Sequence, residues 1–255
     1  MTPLLSDPFF YLVAIPAVLA YGIAKGGFAG PAAVMAVPLM AMVMSPTQAA
    51  AILLPILVVM DVLVVKTYWG IFDKRTLQVM LPGAIAGIVI GYLTADQFND
   101  DHMRIMIGFI ALGFGAQSFM GLGANMGREH NTVAGSVIGT IAGFTSFSIH
   151  AGGPPFHIYL MPKRLDPLVF AGTAGLFFAV VNGVKLIPYY SLGQLGTSNL
   201  LLSLVLIPLA PLGVKIGHWA VKNTKPKLYY KIISFFLMIV GARLLWTGYM
   251  ALTQS

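Results

Sequence analysis

Asn182 and Lys185 stand three residues apart in an otherwise uncharged stretch, so a helix there projects a carboxamide and a cation from one face. That pair suits an oxyanion. Two glycine-rich breaks add donors: Lys25-Gly26-Gly27-Phe28-Ala29-Gly30-Pro31, and the run from Thr145 and Ser146 through His150, Gly152, Gly153, Pro154 and Pro155 to His157. Glycine lets backbone N–H groups approach a ligand and proline interrupts a helix, while ammonium, imidazole and hydroxyl groups donate to anionic oxygens. Asp61 is the one carboxylate deep in an apolar run; it is read as a proton carrier or as the ion-pair partner of Lys25 or Lys66. Gln48, earlier on the same segment, is a further polar candidate. Lys185 has a second reading, as a side chain reaching to the membrane interface just ahead of Pro188.

Other chemistries are poorly served. His150 and His157 have no carboxylate at metal-ligand spacing, no His-Glu-x-x-His occurs, and the chain has no cysteine, so neither a metal nor any other cofactor is expected. Ser146 and Ser148 near His150 offer a serine–histidine pair for an intramembrane hydrolase, but the Gly-x-Ser-x-Gly elbow is missing. The expectation is therefore a binding and transport site rather than an enzyme.

The elements that hold these residues must lie in lipid. Of 255 residues, 58% are apolar and 9% charged, and the mean hydropathy is +0.85, which excludes a water-soluble fold. At about 20 residues per crossing the chain has room for at most about ten crossings and no soluble domain. The net charge of +7 is scattered at the ends of apolar runs without a basic stripe, so it reads as topology and not as a nucleic-acid surface. The first 24 residues hold no Lys or Arg and lead into Lys25-Gly26-Gly27, which reads as a retained membrane segment and not a cleaved signal.

Apolar runs fall near 9–24, 28–44, 47–65, 76–95, 103–122, 132–149, 167–186, 197–217 and 229–250, with a short broken piece at 152–162. The halves repeat at an offset of 121 to 126 residues: Gly30-Pro31 with Gly153-Pro154, Pro46 with Pro167, Asp61 with Asn182, Tyr68 with Tyr189, and Pro82, Gly87 and Gly91 with Pro208, Gly213 and Gly217. Charge then orients them. Loop 66–75 carries Lys66, Lys74 and Arg75 while its counterpart at 187–199 is uncharged; loop 96–102 is acidic while 218–231 carries Lys222, Lys225, Lys227 and Lys231. Lysine and arginine mark cytoplasmic loops, so equivalent loops lie on opposite sides and both termini lie outside the cytoplasm. The expected fold is an all-α polytopic membrane protein with two inverted repeats, residues 1–125 and 126–255, of about five segments each: eight full transmembrane helices plus two broken or re-entrant segments.

The second half carries a resemblance. Thr145-Ser146-Phe147, His150-Ala151-Gly152-Gly153-Pro154-Pro155, Tyr159-Leu160-Met161-Pro162, Gly172-Thr173, and Asn182 through Lys185 to Pro188-Tyr189 resemble the TauE/SafE, or sulfite exporter, family of membrane transporters; Val37-Pro38-Leu39 adds to this in the first half. The resemblance implies a carrier of sulfite or organosulfonates such as sulfoacetate, with other small organic anions as the alternative, in the cell inner membrane. Its partners are then a small anionic substrate and the lipid bilayer, without nucleic acid; a homodimer is compatible with the sequence.

Overall fold

The computed structural model describes residues 3–28, 31–120, 130–223 and 226–254; Gly30, Lys225 and the expected boundary between residues 125 and 126 lie outside them. The described residues are helical with no strand. Helix α1 (Pro8–Ile23) runs into a π-helical turn (Ala24–Phe28), then a 3-10 turn (Pro31–Met35) and the short α2 (Ala36–Met40). After them come α3 (Pro46–Tyr68), α4 (Lys74–Leu93) and α5 (Asp100–Met120). The second half repeats the succession: α6 (Thr132–Ile149), a break, the short α7 (Gly153–Leu160), α8 (Pro167–Ser191), α9 (Thr197–Leu206) with α10 (Leu209–Asn223), and α11 (Pro226–Gln254).

Local chemistry sets the helix starts. Asp7, Ser45 and Asp166 cap α1, α3 and α8 by accepting from the backbone N–H groups of Phe9, Gln48 and Leu168, and each cap is followed by a proline whose missing N–H is not needed in the first turn. Asp73 and Asn131 cap α4 and α6 in the same way. Among the described residues, α1 extended to Gly27, α3, α4, α6 and α8 are each long and apolar enough to cross a membrane. Helices α9 and α10 make a sixth crossing if taken as one span bent by 46°. The sequence read 197–217 as one run; Pro208, which donates no N–H, falls in the two-residue gap where the helix breaks. The chain is a multi-pass membrane protein.

Packing interlaces the halves. Helix α4 lies mainly against α6, and α10 against α1, while α3 lies on α8 and α5 on α11. Two apolar cores result. One joins α1, α2, one face of α3, α5 and α9 with α10, and includes Phe10, Met40, Leu53 and Leu206; the other joins α4, α6, α7 and α8 around Met80, Phe156 and Phe177.

The glycines matched between the halves sit at matching crossings. A Cβ on Gly87 would collide with the Thr140 carbonyl, and one on Gly213 would stand 2.9 Å from the Gly22 Cα, so each allows backbone-to-backbone approach. Gly87→Leu and Gly213→Leu are each expected to cost about 3 kcal/mol by overpacking. Gly113→Leu, where a Cβ meets nothing within 4 Å, is the control. Melting midpoints in detergent check this, and equal midpoints for all three variants would contradict the packing role.

Candidate functional site

Helix α6 ends where glycine and proline cannot extend it. His150 adopts the left-handed conformation, with φ of 55°, and the Ala151 N–H reaches back to the Thr145 carbonyl at 3.1 Å. Helix termini leave carbonyls without helical partners, and in lipid no water supplies them. Other helices do so here. Tyr189 on α8 donates to the Phe147 carbonyl at 2.6 Å and Tyr21 on α1 to that of His150 at 3.2 Å, while Lys185 on α8 adds a second donor, at 2.9 Å, to the Ser146 carbonyl, which already accepts from the His150 N–H.

The imidazole of His150 ties this end to α3. Its Nε2 lies 2.8 Å from the Ala50 carbonyl, which can only accept, and its Nδ1 lies 2.7 Å from Lys185 Nζ. One neutral tautomer, protonated on Nε2, satisfies both contacts. Nearby, Pro55 denies the Ala51 carbonyl its helical N–H, and the flanking carbonyls of Ala50 and Ile52 take side-chain donors, His150 and Ser203. Lys185 also reaches the Ser146 hydroxyl at 3.1 Å and is 0% exposed. It does not reach for the interface: its ammonium sits at the negative end of α6.

Asp61 on α3 lies beside it. One carboxylate oxygen is paired with Lys25, from the π-helical turn, and the other accepts from Asn182 Nδ2 at 2.7 Å. Of the two partners read from the sequence, Lys25 and not Lys66 is the one engaged. Tyr68 holds that turn in place by donating to the Gly26 carbonyl at 2.8 Å, and its hydroxyl lies 2.9 Å from His218 Nδ1. Lys25, Asp61, Asn182, Lys185, Ser146 and His150 therefore form one buried polar cluster.

Two small cavities flank it. One of about 30 Å³ is lined by Tyr21, Lys25, Gly153, Ala174 and Phe178. The other, of about 90 Å³, is lined by Thr47, Gly91, Phe147, Ser148 and Tyr189. His150 accepts from Tyr21 of the first and stacks on Tyr189 of the second, with ring centroids 6.1 Å apart.

The remaining residues singled out by sequence lie elsewhere. Gln48, about 20 Å along α3 from Asp61, bonds Asn199 at 3.3 Å. His157, on α7, packs edge-on to Phe170 of α8. The Thr145 hydroxyl donates to Ile141 of its own helix, as that of Ser148 does to Phe144, and no serine–histidine pair forms at His150. Gly27 is buried in the π-helical turn, and Gly152 is held so close to the Ala142 carbonyl that a Cβ there would stand 2.6 Å from it. The sequence offers no reason to place Tyr21, Tyr189, Tyr68 and Ser203 at a site, because a tyrosine or serine in an apolar run reads as packing or as an interface anchor. The signal that could have found them is their proximity to breaks that strip carbonyls of partners.

A second titratable cluster lies at the start of α4, away from the first. Burial raises the Asp73 carboxyl, but hydrogen bonds from the Thr76 backbone and hydroxyl and from His130 outweigh it and hold the group below the usual carboxylate range. His130 Nε2 is 3.0 Å from Asp73, and the Asp73 N–H donates to Thr173 at 2.8 Å. A depressed folded value gives stability that is complete above the unfolded value near about 4 and is lost as pH falls through the folded one. Asp73→Asn keeps the cap but removes the charge, so its melting midpoint is expected to fall less steeply than wild type on acidification below about pH 4. Parallel slopes would show that Asp73 carries no such linkage.

The chain matches no curated protein and no solved structure. Residues 14–244 match the family described as Sulfite exporter TauE/SafE. That match covers nearly the whole chain, including both breaks, the buried cluster and, apart from the first residues of α1, every helix found able to cross a membrane. The chain thus belongs to the TauE/SafE sulfite exporter family, which implies a membrane transporter of sulfur-containing anions.

Proposed function

We propose that this chain is a secondary transporter that moves sulfite or an organosulfonate such as sulfoacetate across the cell inner membrane by alternating access around a midplane anion site. The fold is read as two inverted repeats, 1–125 and 126–255, each of about five segments, with the broken pieces at residues 28–44 and 152–162. One observation carries the reading. Asp61 and Asn182, equivalent by the repeat and 121 residues apart, bond each other directly. Equivalent residues that touch lie at the two-fold axis, and in an inverted repeat that axis runs in the membrane plane. The mutual packing of α3 with α8 and of α5 with α11, and the exchange of α4 and α10 between halves, supports the same axis.

The site reading rests on charge and donors. Lys25 and Lys185 face a single carboxylate, and Asn182, Ser146 and the backbone of the second break supply further donors to an oxyanion. The flanking cavities hold a few waters each, so an anion passes only when their walls part. Because the halves are interlaced, the rocking bodies are the two apolar cores, with α3 and α8 at their seam. No nucleotide-binding motif is present in the sequence, so transport runs on gradients.

A melting-temperature panel of sulfite, sulfoacetate, taurine, acetate and phosphate tests this, since a ligand that binds only the folded state raises its midpoint. A sulfur anion is expected to raise the wild-type midpoint, and the shift is expected to vanish in Lys185→Ala and in Gly153→Val. Gly153 lines the first cavity, and a Cβ there meets nothing within 4 Å, so valine fills the cavity at little cost to the fold. A shift untouched by both variants would move the site elsewhere, and one confined to acetate would change the substrate class.

A further inference from the structure

The cluster holds three groups that could carry a proton through the transport cycle, and their contacts separate them. Asp61 has one oxygen on Lys25 and the other on Asn182 Nδ2, and a cation and an amide donor on its two oxygens favour the carboxylate over the acid. It stays ionised and cancels Lys25. His150 is fixed as the neutral tautomer by the Ala50 carbonyl on one side, and a proton on its other nitrogen would point at Lys185.

Lys185 is different. Its three partners are the Ser146 carbonyl, the Ser146 hydroxyl and His150 Nδ1, all uncharged, and among the described residues no carboxylate oxygen bonds it. These partners serve both protonation states. As an ammonium, Nζ donates to all three. As an amine it keeps two N–H bonds, to the carbonyl and the imidazole, and its lone pair accepts from the serine hydroxyl, which only has to rotate. The other charged or titratable groups around it are Lys25 after α1, Asp61 on α3, Tyr21 on α1 and Tyr189 on its own helix; Lys25 and Asp61 cancel, and both tyrosines donate to carbonyls. The ammonium therefore leaves the cluster one positive charge in excess. An unpaired buried charge is costly, and a monoanion in the cluster removes that cost.

We propose that Lys185 is the proton-carrying group of the transport cycle, and that one monoanion and one proton cross together with no net charge moved. Binding either one favours the other, by reciprocity. The step is RNH2 + H+ + R′SO3− giving an ion pair, RNH3+ with R′SO3−, and release on the far side returns the amine, the proton and the anion. This inference rests on the anion-site reading above.

The test uses wild-type protein in proteoliposomes containing a pH-sensitive dye, with labelled ethanesulfonate as probe. That anion stays ionised wherever the protein is folded, so any proton that accompanies it is carried by the protein. The expected result is luminal acidification of one proton per ethanesulfonate, with uptake unchanged when the membrane voltage is clamped with potassium and valinomycin. Lys185→Arg keeps a permanent charge and is expected to retain the ethanesulfonate melting shift while losing proton-coupled uptake at least tenfold. Voltage-driven uptake without acidification in wild type would overturn the coupling and leave the anion site standing. Undiminished acidification in Lys185→Arg would overturn the assignment to Lys185. Absence of both uptake and melting shift with either ethanesulfonate or sulfite would overturn the anion site itself.

Discussion

Asp61→Ala is expected to lower the melting midpoint by about 10 °C, because it leaves Lys25 buried without its counter-charge, a loss of about 3–5 kcal/mol. The side chains of Lys25 and Asp61 are only 8% and 5% exposed, so bulk water does not replace the missing partner. Lys25→Met alone is expected to do comparable damage by orphaning the carboxylate. Combined as Lys25→Met with Asp61→Leu, the pair becomes two apolar side chains in an apolar place. The double variant should recover most of the lost stability, since a buried ion pair contributes little net stabilisation while a broken one is expensive. Transport should vanish in all three. A double-mutant cycle on melting midpoints, read beside uptake of a labelled sulfur anion, separates folding from function. Additive single effects would show that the two charges are not paired.

His150→Ala is expected to cost about 3 kcal/mol and to abolish transport. The substitution removes the second donor to the Ala50 carbonyl and leaves one Lys185 donor without its partner in a buried site, each worth about 1–3 kcal/mol. It also keeps a side chain at a left-handed position. His150→Gly loses the same two contacts but relieves the backbone, so it should melt above His150→Ala by an amount equivalent to about 1 kcal/mol. The order wild type, glycine, alanine in midpoint is the signature. Alanine equal to or above glycine would mean that the positive φ carries no cost.

Much of this architecture is visible in the amino-acid pattern. The apolar runs mark the helices because a membrane segment must be apolar around its whole circumference, and Ser45-Pro46 and Asp166-Pro167 mark the starts of the two long helices to the residue. Asp61, Asn182 and Lys185 could be singled out because a polar group at membrane depth demands a reason. What the pattern hides is which carbonyls the breaks strip of partners. Tyr21 and Tyr189 look like ordinary aromatics until the end of α6 is seen between them. Gln48 and His157 look like site residues because periodicity gives their depth but not their partners: Asn199 comes from a helix 151 residues later. The bend between α9 and α10 is hidden for the same reason, since a proline says where a helix can break but not how far its pieces turn.

The exchange of α4 and α10 between halves bears on biogenesis. The glycine face of α4 has its mate on α6, and the glycine face of α10 has its mate on α1, which leaves the translocon before it. During synthesis α4 must wait in lipid, its small-residue face uncovered, until α6 emerges, whereas α1 waits until α10 emerges. A nascent chain halted after α5 therefore holds two unmated seams and is a natural substrate for membrane quality control. Cutting the gene between α5 and α6 should give two fragments that are degraded when made separately and are rescued when made together.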